Sequence, residues 1–186
     1  MLSFKIEGLD EMISNFNKCK RNYEEEMIEV FFGIAYNYII ERANQYIDNS
    51  GIGQATKAQI KSGWEKANIT KNGNEYKLII RNTDDSATFV EFGVGIVGKS
   101  QPHVSAKVSG YEYDTGTAID ENGAWIFSEP NKSEIDIAPQ YITSKLPNNM
   151  YQTKGQPAVM YLYKACQDFV LVSKQKWEEV KMYYWR

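Results

Sequence analysis

The stretch that decides the fold is EEEMIEVFFGIAYNYIIERANQYID, residues 24–48, in which apolar side chains recur every three or four residues. One row consists of Ile28, Phe32, Ala35, Ile39, Ala43 and Tyr46, and a second row beside it consists of Met27, Phe31, Ile34 and Tyr38. This period is that of an amphipathic α-helix, and the two rows make a stripe wider than one packing surface requires. The pattern predicts a helix that is either buried on several sides within one domain or faces both its own sheet and a neighbouring subunit.

Capping residues set the predicted boundaries of the helices. Gly8-Leu9-Asp10 precedes the long stretch and offers Asp10 as an N-cap, and Asn49-Ser50-Gly51 ends it. A second, shorter helix is predicted over residues 56–68. A C-terminal helix is predicted from Gln156-Pro157, because proline fits the first helical position. Its apolar face is Val159, Leu162, Cys166 and Phe169, extended by Trp177, Val180 and Tyr184.

Three strands are predicted from alternation and from the turn residues that border them. Residues 75–82 alternate apolar and charged side chains, which is the period of a strand with one buried face. Residues 87–92 form the next predicted strand, paired antiparallel with the first across the polar turn 82–86. Residues 125–127 form a short third strand.

Two segments have no periodic pattern. Residues 96–123 are rich in Gly, Ser and Thr and contain Pro102, and residues 130–150 are also irregular. Loops of this length inside a compact domain are usually functional or disordered. We therefore expect residues 1–186 to form one domain with a flexible insertion at 96–123, which becomes ordered when it reaches across a neighbouring copy.

Composition argues against nucleic-acid binding, membrane insertion and secretion. The net charge is −3 and the pI about 5.3, and the nearest approach to a basic run, Lys18, Lys20 and Arg21, is followed at once by glutamates at 24–26. A protein that holds DNA through many phosphates carries a basic face. The longest apolar-rich stretch, residues 30–40, is too short to span a bilayer. Two distant cysteines and an opening without an apolar signal core predict a soluble protein of a reducing, intracellular compartment.

Residues 93–100, GVGIVGKS, fit the phosphate-binding pattern G-x-x-x-x-G-K-[ST], and Gly93, Gly95 and Gly98 also fit G-x-G-x-x-G. In a true P-loop the backbone amides hold phosphates, the lysine neutralises them, and a helix starts at the Gly-Lys pair. The residues that follow here, QPHVS, make a poor helix, and no later strand supplies an acidic magnesium partner. We interpret the segment as a glycine-rich turn by which the chain leaves a strand sharply. A P-loop nucleotide-binding enzyme is the alternative from another class.

The sequence has no group of side chains with catalytic or metal-binding spacing. His103 is the single histidine, lies in the predicted flexible loop and has no evident Cys or Ser partner, so we expect it to be solvent-exposed. The acidic pairs Asp84-Asp85 and Glu178-Glu179 are expected in a turn and on a helix face as solvated charge. The sequence thus predicts a non-enzymatic protein with no catalytic residue, cofactor or metal site.

The order of several short motifs resembles a known family. They are SGW at 62–64, YKLIIRN at 76–82, FVEFGVG at 89–95, YQTKGQPA at 151–158 and YLYKA at 161–165. The chain resembles the HK97 gp10-like family of phage tail-completion, or head–tail joining, proteins, and VEFG-x-G and T-x-G-Q-P-A…LY-x-A are its most specific marks. The likeness covers most of the chain in order, except near 96–123 and 129–150. Val94, where the family has a small residue, and a long insertion at 111–122 depart from the family pattern.

The resemblance implies an α+β subunit: a small antiparallel β-sheet packed against a long N-terminal helix and a C-terminal helix, with long loops. Copies of it, commonly six, form a homo-oligomeric ring at the head-proximal end of the tail, complete the tail and join it to the neck. The implied partners are sister copies, the tail tube or terminator protein, and the head–tail connector or stopper protein. The implied location is the virion or a phage-tail-like particle, assembled in the bacterial host cytoplasm. A tail terminator ring, which stops tube polymerisation, is the alternative within the same class.

A ring needs head-to-tail contacts, so each subunit must present two different complementary patches. Aromatic residues, 13% of the chain, are enriched in contacts between proteins. The wide apolar helix, the glycine-rich exit, the long loop and the start of the C-terminal helix are the expected sources of these patches. The candidate assembly residues are Phe31, Ile34, Tyr38, Phe92, Gly93, Gly95, Tyr111, Tyr113, Gln156 and Pro157.

Overall fold

A computed structural model of the chain describes residues 9–73, 75–113, 120–128, 142–148 and 150–184, with side chains from residue 23 onward. The elements in chain order are α1 (Leu9–Asp48), α2 (Gln54–Ser62), β1 (Asn68–Asn72), β2 (Glu75–Ile79), α3 (Asp85–Phe92), α4 (Gly95–Ser100), α5 (Ala106–Ser109), β3 (Trp125–Ser128), β4 (Ile142–Leu146), β5 (Met150–Thr153) and α6 (Tyr161–Tyr184).

The two long helices, α1 and α6, pack along each other and form the frame of the molecule. Aromatic side chains fill the seam between them: the ring centroid of Phe31 lies 5.8 Å from that of Phe169 and 5.3 Å from that of Trp177. Across the same seam, a 2.7 Å ion pair joins Nη2 of Arg42 to Oδ2 of Asp168. Both predicted helices are confirmed, and the predicted apolar face of the C-terminal helix packs inward.

The core lies where α2 and α3 meet α1 and the first turns of α6. Ile47 of α1, Ile60 of α2, Val90 of α3 and Ala165 of α6 belong to one cluster, and each is at most 2% exposed. Full burial of an isoleucine or valine side chain contributes about 1.5–3 kcal/mol. The contact among these four helices is therefore a main source of stability, and it holds the end of α3 against the start of α6.

A buried lysine closes the end of α1. Lys57 of α2 is 5% exposed, and its Nζ donates hydrogen bonds to the carbonyl oxygens of Asp48 and Ser50, each at 2.9 Å. The last carbonyls of a helix carry partial negative charge and lack partners within the helix. Because α1 has no basic residue in its own last turn, Lys57 supplies the positive charge from the next helix and fixes the corner between the two.

The strands form two separate antiparallel sheets. β1 and β2 form a hairpin around Gly73, whose φ of 60° is easily adopted by glycine. In the second sheet β5 lies between β3 and β4. The α+β class is confirmed, with the strands divided between a hairpin and a three-stranded sheet.

Residues 87–92 belong to helix α3, so the prediction of a strand there, paired with residues 75–82, is wrong. Asp84 begins the helix: its Oδ1 accepts a 2.9 Å hydrogen bond from the amide of Ser86, and Asp85 adds an acidic side chain to the first turn. Asp84 is thus a helix cap rather than a solvated charge in a turn. The buried residues of α3 recur at helical spacing, which a strand would divide between two faces.

Helix α2 is shorter than predicted, and β1 has no counterpart in the prediction. The helix expected over residues 56–68 ends at Ser62, where Gly63 follows as the C-cap. Trp64 then leaves the helical path and pairs with Asn82 in an isolated β-bridge, with its ring packed against the core. The chain therefore enters β1, which is the partner of β2 in place of residues 87–92.

The irregular segments contain more structure than their composition indicates. The predicted loop 96–123 carries most of α4 and all of α5, although residues 114–119 lie outside the described residues. Within 130–150, the segment 142–148 supplies β4, and residues 130–141 and 149 lie outside the description. The predicted strand at 125–127 is confirmed as β3.

Both predicted helix starts are shifted. Asp10 already lies inside α1, which is described from Leu9, and is therefore not the N-cap. The C-terminal helix begins at Tyr161 instead of Gln156-Pro157, because Met160 has a φ of 56° and is not helical. None of the helices in the described part of the chain combines the length and the hydropathy needed to cross a bilayer.

Candidate functional site

The site begins where α3 ends and the chain turns through glycines. Gly93 has a φ of 81° and Gly95 a φ of 68°, in a region that residues with side chains rarely adopt. A Cβ atom at Gly93 would lie 2.6 Å from the amide nitrogen of Ala158, and one at Gly95 would lie 2.6 Å from the ring of Trp125. Both positions therefore require glycine. The predicted sharp exit is present, but it leaves a helix and not a strand.

Residues 153–158 lie against this turn, backbone to backbone. The amide of Val94 donates to the carbonyl oxygen of Gln156 at 2.9 Å, and the amide of Gln156 donates back to Val94 at 3.1 Å. The amide of Val97 donates to the carbonyl oxygen of Lys154 at 3.2 Å. Gly155 has a φ of 98°, and a Cβ there would collide with the carbonyl of Val94. The two segments thus approach so closely that glycine is needed on both sides.

Glu91 is the charged residue at the centre of this junction. The residue is 7% exposed, and its carboxylate accepts hydrogen bonds from the amides of Leu162 and Tyr163, both at 2.9 Å. These amides belong to the first turn of α6, where unpaired N–H groups and the helix dipole favour a negative charge. Glu91 therefore caps a helix whose first turn lies about 70 residues further along the chain.

His103 is buried against Glu91, so the expectation of a solvent-exposed side chain is wrong. The residue is 5% exposed, and its Nε2 lies 3.1 Å from Oε1 of Glu91. Its Nδ1 accepts a 3.0 Å hydrogen bond from the amide of Ser105, which assigns the proton of a neutral imidazole to Nε2, facing the carboxylate. The amide of His103 donates to the hydroxyl oxygen of Tyr113 at 2.8 Å. Both ring nitrogens thus have partners, as burial requires.

An aromatic layer covers this buried pair. The ring of Phe92 lies 4.4 Å from that of His103 and 4.6 Å from that of Tyr111, and Tyr163 meets His103 edge-on at 5.4 Å. The hydroxyl of Tyr111 donates to the carbonyl oxygen of Gly93 at 2.7 Å, and burial raises the pKa of this phenol. Ring pairs of this kind contribute about 0.5–1.5 kcal/mol beyond the area they bury. The layer therefore excludes water and ties the α4–α5 segment to the end of α3.

Most of the predicted assembly residues meet here. The junction contains Phe92, Gly93, Gly95, Tyr111, Tyr113, Gln156 and Pro157. Its central pair, Glu91 and His103, was not among the predicted residues. One signal was available, a single glutamate inside the apolar run ATFVEF, because a buried carboxylate needs partners. Those partners are far away in the sequence, so this signal does not identify them.

The remaining predicted residues, Phe31, Ile34 and Tyr38, lie on α1. Phe31 and Tyr38 both contact Phe169, so α6 covers this part of the wide apolar stripe from within the same chain. Ile34 lines a groove of about 510 Å³ between α1 and the end of α6. The second apolar row therefore contributes partly to the seam and partly to a groove at the surface.

The P-loop pattern at residues 93–100 does not have the arrangement of a phosphate-binding loop. A helix precedes it, and α4 starts at Gly95, so that Gly98 and Lys99 lie near the end of a helix rather than at its start. The amides of Val97 and Gly98 already donate to carbonyl oxygens of this chain. A Cβ at Gly98 would lie 2.8 Å from the backbone of the preceding turn, so this glycine also serves close packing.

The acidic pair Glu178-Glu179 forms surface ion pairs. On α6, Glu178 pairs with Lys181 and Glu179 with Lys176, as expected for a solvated helix face. The residues that the structure describes contain no group of three or more His, Cys, Asp or Glu side chains placed to hold a metal ion. Both oxygens of the Glu91 carboxylate are occupied by hydrogen bonds within the chain. The junction can therefore hold three segments of backbone in fixed positions.

No family model, no curated protein and no solved structure matches the chain. Its function therefore has to be inferred from its own residues and their geometry.

Proposed function

We propose that the chain is a structural subunit of a phage tail or phage-tail-like particle, and that copies of it form a ring at the head-proximal end of the tail. The observation that carries this proposal is the contact between the two segments that most resemble the tail-completion family. Residues 90–95 and 153–158 are distant in the sequence, and they pair through Val94 and Gln156. The glycines of both segments and Glu91 hold the two segments together, which accounts for the presence of both motifs in one chain.

A rigid junction suits a ring subunit, because ring contacts need surfaces held in fixed relative positions. Elements that are ordered before assembly lose less entropy when they bind. Near the junction, Phe89, Val104 and Val108 are 45%, 62% and 91% exposed. These exposed apolar side chains are available for contacts with other proteins.

In the proposed role, the ring completes the tail and joins it to the neck. Its partners are then sister copies, the tail tube or terminator protein, and the head–tail connector or stopper protein. Its location is the virion or a phage-tail-like particle. A terminator ring that stops tube polymerisation is the second possibility in this class, and it would use the same kind of subunit.

Electron microscopy of particles that carry a labelled subunit tests the location. We expect the label at the head-proximal end of the tail, in several copies around the tail axis. Label along the tube or at the distal end, or particles without the subunit, would contradict the proposal.

Deletion of the gene separates completion from termination. Loss of a completion protein should leave tails of normal length that do not join heads, whereas loss of a terminator should give tubes of uncontrolled length. Complementation with Gly33→Ala should restore particles, and complementation with Gly93→Val should not, because Gly93, unlike Gly33, lies in the junction and has a positive φ. Complete particles from the deletion strain would exclude both roles.

A further inference from the structure

A groove lies between the middle of α1 and the end of α6. Its volume is about 510 Å³, and it is lined by Val30, Ile34, Val180, Tyr183 and Tyr184 together with two glutamates, Glu26 and Glu179. Glu179 is already paired with Lys176 of the same helix, at 2.9 Å. Val180 is 3% exposed and forms part of the floor, whereas Tyr183 is 78% exposed. Glu26 accepts a 3.0 Å hydrogen bond from the hydroxyl of Tyr184, and no Lys or Arg of the described residues forms an ion pair with it. This α1–α6 groove is apolar, with a negative charge on its rim.

A second exposed feature, the α5 knob, consists of Val104, Lys107 and Val108. The two valines are 62% and 91% exposed: Val104 lies two residues before the single turn of α5, and Val108 lies within it, next to the exposed Lys107. Residues 95–110 contain two lysines and no Asp or Glu. Ala106, on the opposite side of the turn, is 6% exposed, so the knob is anchored before any partner binds.

The α1–α6 groove and the α5 knob lie at opposite ends of α6. His103, which precedes the knob, contacts Tyr163 in the first turn of α6, whereas Val180 and Tyr183 line the groove near its last turn. At 1.5 Å per residue, the helix from residue 163 to residue 180 spans about 26 Å. The knob therefore does not reach the groove of its own molecule. Contact between two different and distant surfaces of identical copies is head-to-tail, which is the contact that builds a ring.

We propose that the α5 knob of one copy binds the α1–α6 groove of the next copy. This inference rests on the proposed ring and names the surfaces that form it. Opposite charge identifies the second copy as the occupant, since Lys107 lies beside the apolar side chains of the knob and Glu26 lies on the rim of the apolar groove. An apolar anchor in a pocket with a charged rim is the usual anatomy of a specific protein contact.

Sedimentation velocity of the full chain over a concentration series, with electron microscopy of the associated species, tests this contact. Val108→Asp removes the main apolar anchor and sets a carboxylate against Glu26, so it should weaken self-association about tenfold or more. Leu171→Asp is the matched control, because Leu171 is 84% exposed on α6 and belongs to neither surface. The control should associate like the wild type. Equal loss in both variants, or loss in neither, overturns the inference.

Charge reversal supplies a test by rescue. Lys107→Glu and Glu26→Lys each place like charges at the contact, and each should weaken association. A mixture of the two single variants should restore rings, because every knob then meets a groove of opposite charge in an alternating arrangement. Native mass spectrometry should find equal numbers of the two variants and even subunit counts. Rings of one variant alone, or mixed rings of random composition, overturn the contact.

Failure of this contact and failure of the proposed function are separate outcomes. Wild-type rings that persist unchanged in all these variants overturn the knob-and-groove contact and leave the ring itself in place. A wild-type chain that stays monomeric also overturns the contact. The proposed function fails if the subunit is absent from the head-proximal end of the particles, or if the deletion strain makes complete particles.

Discussion

The Glu91 carboxylate is expected to be a major source of stability, because it is the acceptor for three donors from two other segments of the chain. Glu91→Ala leaves the amides of Leu162 and Tyr163, which donate at 2.9 Å, and Nε2 of His103, at 3.1 Å, without their acceptor. The ring of Phe92 covers His103 at 4.4 Å, so only a small number of water molecules can enter the space that the carboxylate leaves.

The expected loss follows from the three donors. A buried donor without an acceptor costs about 1–3 kcal/mol, and loss of a negative charge at a helix N-terminus adds about 0.5 kcal/mol. Since a water molecule can enter the polar space left by the side chain, the low end of the range applies to each donor, and the sum is about 3.5 kcal/mol. Glu91→Gln keeps the volume and one acceptor oxygen but turns an NH₂ group toward a donor, so it should cost about 2 kcal/mol. Typical domains are stable by about 5–15 kcal/mol, so Glu91→Ala removes a large fraction.

Urea unfolding, followed by circular dichroism and tryptophan fluorescence, measures these free energies. Glu112→Ala is the control, since Glu112 is an exposed glutamate on the neighbouring segment and should change stability by less than about 0.5 kcal/mol. A double-mutant cycle of Glu91→Ala with His103→Leu should show a coupling of about 1–2 kcal/mol, because loss of both side chains leaves no unpaired Nε2 donor. A loss below about 1 kcal/mol for Glu91→Ala, or strict additivity in the cycle, would refute the role of the carboxylate.

Three further predictions test other parts of the structure. Gly93→Val should not fold, because φ is 81° and a Cβ would lie 2.6 Å from the facing backbone. Gly33→Ala should raise the free energy of unfolding by about 0.5–1 kcal/mol, because alanine favours a helix more than glycine does. Thermal melts compare the two variants, and a folded Gly93→Val would contradict the turn at this glycine. A hydrogen bond from Arg42 lowers the pKa of Asp168, and a lowered folded-state pKa gives stability that is present above the unfolded pKa and lost as pH falls through the folded pKa. The free energies of unfolding of the wild type and of Asp168→Asn, measured in urea, should therefore differ at neutral pH and converge as the pH falls through the lowered pKa of Asp168, and a difference that does not narrow would contradict this ion pair. Calorimetric titration with magnesium nucleotide should give the same heats for the wild type and Lys99→Ala, and binding that is lost in the variant would favour the P-loop alternative.

The long helices could be predicted because their pattern is repeated within one element. Met27, Ile39 and Ala43 are 6%, 5% and 0% exposed, and they follow the period that the sequence shows over more than four turns. The face of α6 was predicted for the same reason. The sequence does not show which residues of the second apolar row, such as Ile34, lie in the seam with α6 and which lie at the surface, because that depends on where α6 ends.

The prediction of a strand at residues 87–92 was wrong because six residues are too few for their pattern to distinguish a strand from a helix. Thr88, Phe89, Val90 and Phe92 are β-branched or aromatic, and such residues favour strands. The helix is instead stabilised by the Asp84 cap and by the packing of Val90 into the core, and tertiary contacts of this kind override weak local preferences. The roles of Glu91 and His103 could not be predicted for a related reason, because their partners lie on segments that only the folded chain brings together.

The glycines at 93, 95 and 98 fit a phosphate-binding pattern and a backbone junction for the same steric reason. Both arrangements require backbone to approach something closely, and both therefore exclude a Cβ atom. The spacing of glycines reports this close approach without identifying what approaches. The partners of the amides make that distinction: in a phosphate site they point at a ligand, whereas here Val94 and Val97 donate to residues 153–158 of the same chain. These amide partners, rather than the glycine spacing, favour a structural junction over a nucleotide site.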